Sequence, residues 1–204
     1  MIRIKICGVT TVEQALACAA LGVDAIGVNF VDSSPRRVDV QTARAIADAL
    51  GSSTLLVGVV ADMPVSTMRG LLGEARVGCL QLHGDETADQ VAAMLPHAYK
   101  AVRVGSAEDV ARAEAAPGAY VMVDASVAGM LGGSGHRVDG SLVASLAKRR
   151  RLVLAGGLTP DNVARAIVEV RPWCVDVASG VESSPGVKDM ARVRAFIEAA
   201  KTAI

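Results

Sequence analysis

The sequence predicts an α/β fold, a single-domain (β/α)₈ barrel (the TIM-barrel architecture) spanning residues 1–204, and three observations lead there. Short runs rich in β-branched residues alternate with longer alanine-rich segments from end to end, the pattern of a parallel sheet covered by helices. Dividing 204 residues by eight leaves roughly 25 per βα unit, close to the minimum for this barrel. Three joints also echo one another: Leu21-Gly22-Val23-Asp24-Ala25-Ile26, Ala75-Arg76-Val77-Gly78-Cys79-Leu80 and Val170-Arg171-Pro172-Trp173-Cys174-Val175. Each ends an amphipathic helix and enters an apolar strand, as a repeated βα unit should. The competing fold, an open doubly wound sheet, normally has about five or six strands in this length.

The predicted strands are Ile2–Cys7, Asp24–Phe30, Thr54–Val60, Gly78–His83, Ala98–Val104, Tyr120–Asp124, Leu152–Ala155 and Cys174–Val177. The first four helices fall at Thr11–Leu21, Gln41–Leu50, Ser66–Ala75 and Ala88–Leu95. The remaining four fall at Ala107–Ala116, Gly140–Lys148, Pro160–Val170 and Met190–Ala203. All carry apolar residues at three- and four-residue spacing. Start signals precede several of them: Thr10 or Thr11 before Glu13, Pro64, and Thr159-Pro160-Asp161.

Composition narrows the function classes. The 21 basic side chains balance 21 acidic ones, which leaves no electrostatic footprint for a nucleic acid or an anionic membrane. Apolar runs are broken by Gly, Asp or Arg before they reach the length of a membrane span, and the start, Met1-Ile2-Arg3-Ile4-Lys5-Ile6, has no long apolar stretch of a signal peptide. Cys7, Cys18, Cys79 and Cys174 stand in no paired pattern, which suits a reduced, cytoplasmic setting. The expected partner is a small molecule, and both a monomer and a homodimer remain open.

In this fold ligands meet the loops after the C-terminal ends of the strands. Strand alternation places Ile2, Ile4 and Ile6 toward the helices and Lys5 and Cys7 toward the barrel axis. Cys7 then stands at the end of its strand, either as a small packing residue or as a proton-transfer group. Asp124 closes the sixth strand, as a turn cap or as an acid at the barrel mouth. In the fourth strand Gln81 and His83 share one face, and His83 either bonds neighbouring loops or does acid–base work. Lys5, Gln81 and Asp176 are expected to point inward and satisfy one another as a supporting polar shell, because an isolated buried charge is costly.

Three glycine-rich segments follow the last three strands: Gly132-Gly133-Ser134-Gly135, Ala155-Gly156-Gly157-Leu158 and Ala178-Ser179-Gly180-Val181-Glu182. They are either ordinary turns or, with two on consecutive strands before helical segments, a phosphate site built from backbone N–H groups. None matches the P-loop or dinucleotide fingerprint, so the phosphate is expected on a small substrate. The tandem Arg36-Arg37 is either solvated or offers one guanidinium to a carboxylate.

Together these segments resemble the phosphoribosylanthranilate isomerases of tryptophan biosynthesis. The resemblance is carried by Lys5-Ile6-Cys7-Gly8-Val9-Thr10, Ser34-Pro35-Arg36, Leu80-Gln81-Leu82-His83-Gly84-Asp85-Glu86, and Val123-Asp124 with Gly132-Gly133-Ser134-Gly135. It continues through Ala155-Gly156-Gly157-Leu158-Thr159-Pro160-Asp161-Asn162-Val163, Val175–Glu182 and Pro185-Gly186-Val187-Lys188-Asp189. It implies a (β/α)₈ barrel that converts N-(5-phosphoribosyl)anthranilate to 1-(2-carboxyphenylamino)-1-deoxyribulose 5-phosphate by an Amadori rearrangement. It also implies Cys7 as general base, Asp124 as general acid and Arg36 as binder of the anthranilate carboxylate. Gly133, Gly135, Gly156, Gly157, Ser179 and Gly180 match the phosphate region, with Asp176 beside it, and Lys5, Gln81 and His83 remain supporting. No metal or organic cofactor is implied. A free thiol is only a few per cent ionised at pH 7, and Lys5, on the same strand face, is the candidate for lowering that value at Cys7. Arg37, Val60 and His136 depart from the usual family residues, which bears on loop packing and substrate affinity rather than on the reaction.

Overall fold

Strand-length apolar runs separated by capped amphipathic segments close into a barrel because each parallel strand needs a helix to cover its outer face. The computed structural model describes residues 2–125 and 140–203. The first half runs β1 (Arg3–Cys7), α1 (Val12–Ala20), β2 (Ala25–Asn29), α2 (Val40–Leu50), β3 (Leu55–Val60), α3 (Val65–Glu74), β4 (Cys79–Leu82) and α4 (Ala88–Ala93). The second runs β5 (Ala98–Arg103), α5 (Ala107–Ala115), β6 (Tyr120–Asp124), α6 (Gly140–Arg149), β7 (Arg151–Ala155), α7 (Val163–Val170), β8 (Cys174–Val177) and α8 (Met190–Thr202). Strands β1 to β8 form one closed barrel in sequence order, and every neighbouring pair, including β1 with β8, is parallel.

All sixteen predicted elements are present, with no boundary shifted by more than three residues. Local chemistry accounts for the ends. Thr11 accepts from the Gln14 N–H at the start of α1, and Asp39 does the same for Thr42 at α2. Thr87 and Ser106 form capping boxes with Gln90 and Asp109. The Thr159-Pro160-Asp161 signal does not open α7, which starts at Val163 with Asn162 in the N-cap position and no side-chain cap. There the Asn162 carboxamide accepts from the Thr159 N–H and donates to the Gly157 carbonyl. Those three residues therefore belong to a loop pinned from behind rather than to the first helical turn. A short hairpin, β9 (Glu182–Ser184) with β10 (Val187–Lys188), stands between β8 and α8 where the sequence offered no strand pattern.

Two apolar layers result. The larger fills the space between strands and helices and includes Ile2, Ile4 and Ile6 of β1, as the alternation predicts. Phe196 of α8 is its largest fully buried side chain, worth about 1.5–3 kcal/mol of burial. The smaller layer lies inside the barrel and comprises Ala25, Val57, Tyr99, Ala101, Met122, Val153, Ala155 and Cys174. It is made mostly of small residues, so the interior holds polar side chains above it without a second apolar plug.

Candidate active site

That interior carries Lys5 of β1, Gln81 of β4 and Asp176 of β8, all buried. Strand register puts Lys5 level with Asp176. The Lys5 ammonium donates to Gln81 Oε1 and to Asp176 Oδ1, each at 2.9 Å, and the Tyr99 hydroxyl donates to the same Gln81 oxygen at 2.9 Å. Burial works against the Lys5 charge, but the Asp176 carboxylate, with Cys7 and Tyr99 beside it, more than offsets this and holds the ammonium well above its ordinary value. The three residues satisfy one another as expected from the sequence.

Above this shell a cavity of about 250 Å³ opens at the C-terminal end of the strands. Its wall brings together Cys7, Arg36, Gln81, His83, Asp124, Gly156, Gly157, Asp176 and Ser179. Lys5 lies beneath this wall, within hydrogen-bond reach of two of its members. Gly180 lies one residue past it, pressed so closely on the Leu158 carbonyl that a Cβ there has no room. This contact locks the loop after β8 against the loop after β7. Gly133, Gly135 and His136 lie outside the described residues.

Cys7 is buried, and its neighbour across the sheet is Gly27. A side chain on Gly27 would meet the Cys7 sulfur at 2.7 Å, so glycine clears the thiol's space. Burial pushes the thiol up, and although Lys5 pulls it down the net direction is upward. Lys5 acts in the expected direction but is itself committed to Asp176, whose charge opposes it at the sulfur. The other three thiols are packing residues: burial raises those of Cys18 and Cys79 to about 11, and Cys174 lies in the inner apolar layer.

Across the mouth, Asp124 ends β6 half-buried. His83 Nε2 lies 3.7 Å from Asp124 Oδ2, and His83 Nδ1 lies 2.9 Å from the Gln81 amide nitrogen. Burial lowers the His83 pKa, with Asp124 opposing and Arg103 adding to the fall.

Arg36 departs from the simplest expectation. Its Nε and Nη2 edge is held by Glu182, with contacts of 2.9, 3.2 and 2.6 Å, and Lys188 donates to Glu182 Oε1 at 2.7 Å from a fully buried position. Burial disfavours the Glu182 charge, but hydrogen bonds from Arg36 and Lys188 keep the carboxyl below its usual range. Glu182 and Lys188 were missed as site residues: the partner of Glu182 on the loop after β2 is 146 positions away, and no local spacing announces the pairing. Asn29 at the end of β2 also lines the cavity; it too was missed, although a polar residue near a strand's C-terminal end was the available signal.

A larger cavity of about 660 Å³ sits beside the site, over the loops after β3, β4 and β5, and shares only His83 with it. Among the described residues no helix is long and apolar enough to cross a membrane.

A sequence model of the N-(5'phosphoribosyl)anthranilate (PRA) isomerase family matches residues 4–199. The chain belongs to the PRA isomerase family. A curated relative named N-(5'-phosphoribosyl)anthranilate isomerase, from Pseudomonas aeruginosa (strain UCBPP-PA14), is 48% identical over 98% of this chain and 96% of its own. The crystal structure of the phosphoribosyl anthranilate isomerase of Thermotoga maritima superposes with a TM-score of 0.88 at 36% identity, covering 99% of this chain and 100% of that one. A further solved PRA isomerase, in complex with reduced 1-(o-carboxyphenylamino)-1-deoxyribulose 5-phosphate, matches with the same TM-score at 34% identity over 99% of this chain and 100% of that one.

Proposed function

We propose that this chain performs its family's isomerisation through two groups on opposite sides of the 250 Å³ cavity, Cys7 as general base and Asp124 as general acid. The observation that carries this reading is that both line one cavity together with Arg36, Gly156, Gly157 and Ser179, two proton-transfer groups between two candidate anion-binding ends. N-(5-phosphoribosyl)anthranilate has a carboxylate at one end and a phosphate at the other. Asp124 gives its proton to the furanose ring oxygen, and the C1–O bond breaks to leave a protonated Schiff base. The Cys7 thiolate then takes the C2 proton, and its electron pair forms the C1–C2 double bond of an enolamine. Proton loss from the C2 hydroxyl and protonation at C1 give the ketone, so atoms and electrons balance by proton transfers alone.

The phosphate sits at the loops after β7 and β8, against Gly156, Gly157, Ser179 and Gly180. Asp176 lies at the edge of this region. Arg36 keeps its end-on Nη1/Nη2 edge for the anthranilate carboxylate, because Glu182 occupies the other. Glu182 thereby aims the guanidinium as well as neutralising it. A free thiol base suits a reducing cytoplasm.

The test is direct. PRA generated in situ loses its fluorescence as it is isomerised, and the folded wild-type protein should accelerate that loss. No acceleration would sink the assignment.

A further inference from the structure

Between the base side and the acid side of the cavity stands one carboxamide whose orientation has a single solution. Lys5 bears an ammonium, which can only donate hydrogen bonds. Its contact at 2.9 Å therefore identifies the Gln81 atom facing it as the oxygen. The Tyr99 hydroxyl bonds the same atom. Turning the amide over would set its NH₂ against the ammonium in a site where Gln81 is 1% exposed, leaving donors without an acceptor. The other end of the amide, the NH₂, accordingly faces His83 Nδ1 at 2.9 Å. An NH₂ cannot accept, so Nδ1 must offer its lone pair. In a neutral imidazole with a bare Nδ1 the proton is on Nε2, and Nε2 is the nitrogen 3.7 Å from Asp124 Oδ2.

We propose that Gln81, held by Lys5 and Tyr99, is a positioning residue that fixes His83 in its Nε2–H tautomer and so aims an N–H at the Asp124 carboxyl group. This inference rests on the reading of Asp124 as the acid. Its value to the reaction lies in timing. When Asp124 gives its proton to the sugar oxygen, negative charge develops on a carboxylate 3.7 Å from the protonated ring nitrogen. The opposite tautomer would set a ring lone pair against that charge. Interactions made only as charge develops lower the barrier rather than tightening substrate binding. The charged groups acting on His83 are Asp124, Arg103, Asp176 and Lys100. The carboxylates favour an imidazolium and the two cations oppose it, so the neutral ring needed here is favoured by burial together with Arg103 and Lys100.

The experiment begins with the wild-type protein. Imidazole ¹⁵N spectra of histidine-labelled protein at neutral pH, with His83 assigned by its loss in His83→Gln, should show a protonated Nε2 and a bare Nδ1. A ring protonated on Nδ1, alone or as imidazolium, overturns the proposal, and this result needs no buried substitution to fold. Gln81→Glu then replaces the donor facing Nδ1 by an acceptor of the same shape. It should move a proton onto Nδ1 and lower kcat by roughly 10- to 100-fold, with KM within about twofold. A changed ring with unchanged kcat, or an unchanged ring, would also overturn it. Near-normal turnover in Asp124→Asn would instead remove the acid assignment while leaving the tautomer result standing.

Discussion

The two sides of the active-site cavity are built from different materials. On the β1 side Cys7 is embedded in buried charge: Lys5 with Asp176 on one flank, and Arg36, Glu182 and Lys188 on the other. The Lys5, Asp176, Glu182 and Lys188 side chains are almost fully buried. On the β6 side Asp124 and His83 are 34% and 22% exposed and stand 3.7 Å apart, without a direct hydrogen bond. The contrast fits the two tasks. Taking a proton from carbon needs a base shielded from water, with its surroundings already charged and fixed. Giving a proton to an oxygen demands less shielding, and the acid must recover its proton after each turnover, which a half-open position allows.

The sharpest way to break this comparison is to remove each group. Cys7→Ala and Asp124→Asn should each lower kcat by roughly 10²- to 10⁴-fold while the circular dichroism spectrum stays native, and near-normal turnover in either removes that residue from its role. The pH responses should then separate the sides. Burial raises the Cys7 thiol beyond what Lys5 recovers, so the thiolate fraction grows as pH rises above neutrality. Alkylation of Cys7 by iodoacetamide, read by mass spectrometry, should accelerate through the alkaline range. In Asp124→Asn, where the acid no longer titrates, the residual activity should climb with it. A residual activity flat in pH would disconnect the thiolate from the rate.

A second prediction concerns what holds the dry side together. Glu182→Ala leaves the Lys188 ammonium buried without its carboxylate and releases Arg36, and losing one partner of a buried pair costs about 3–5 kcal/mol. Urea unfolding should show the loss at neutral pH. The sign of its pH dependence follows from Glu182 lying below the usual carboxylate range when folded. Its contribution is complete above the unfolded-state value and disappears as pH falls through the folded one, so wild type and variant should converge in acid. A gap that stays constant in acid would mean the charge is not what stabilises. The same variant should raise KM, because Arg36 is no longer aimed.

These examples also show how much could be read from the chain. Lys5, Gln81 and Asp176 were legible because strand alternation alone decides which side chains point inward, and three polar residues in one small interior must meet. Asp124 was legible as the polar end of an apolar run. The Glu182 cluster was not, since its members come from the loop after β2 and the hairpin after β8, two segments without periodicity. Gly27 was hidden for another reason: its meaning is a distance to the Cys7 sulfur in the next strand, which only register supplies. The net direction of the Cys7 shift was not legible, because a neighbouring cation is visible in sequence whereas burial and the competing Asp176 charge are not.

The smallest expected effect lies within a single dipeptide. Arg36 and Arg37 are adjacent and chemically identical, yet the chain turns one inward and one out. Arg36 is 22% exposed and bound to a nearly inaccessible Glu182, whereas Arg37 bonds Asp32 at 2.9 Å with the two side chains 51% and 91% exposed. An exposed pair contributes about 0.2–1 kcal/mol, since solvent screens it and both side chains lose rotamer freedom. Arg37→Ala should therefore shift stability by less than about 1 kcal/mol, with KM within about twofold of wild type. Arg36→Ala should raise KM strongly and destabilise the fold, because the buried Glu182 carboxylate keeps only Lys188 as a cationic partner. Parallel urea melts and substrate titrations of the two variants decide the matter. A large KM effect at Arg37 would mean that this exposed arginine, rather than the inward one alone, reaches the substrate, and the division between a fixed charged side and an open one would have to be redrawn at the loop after β2.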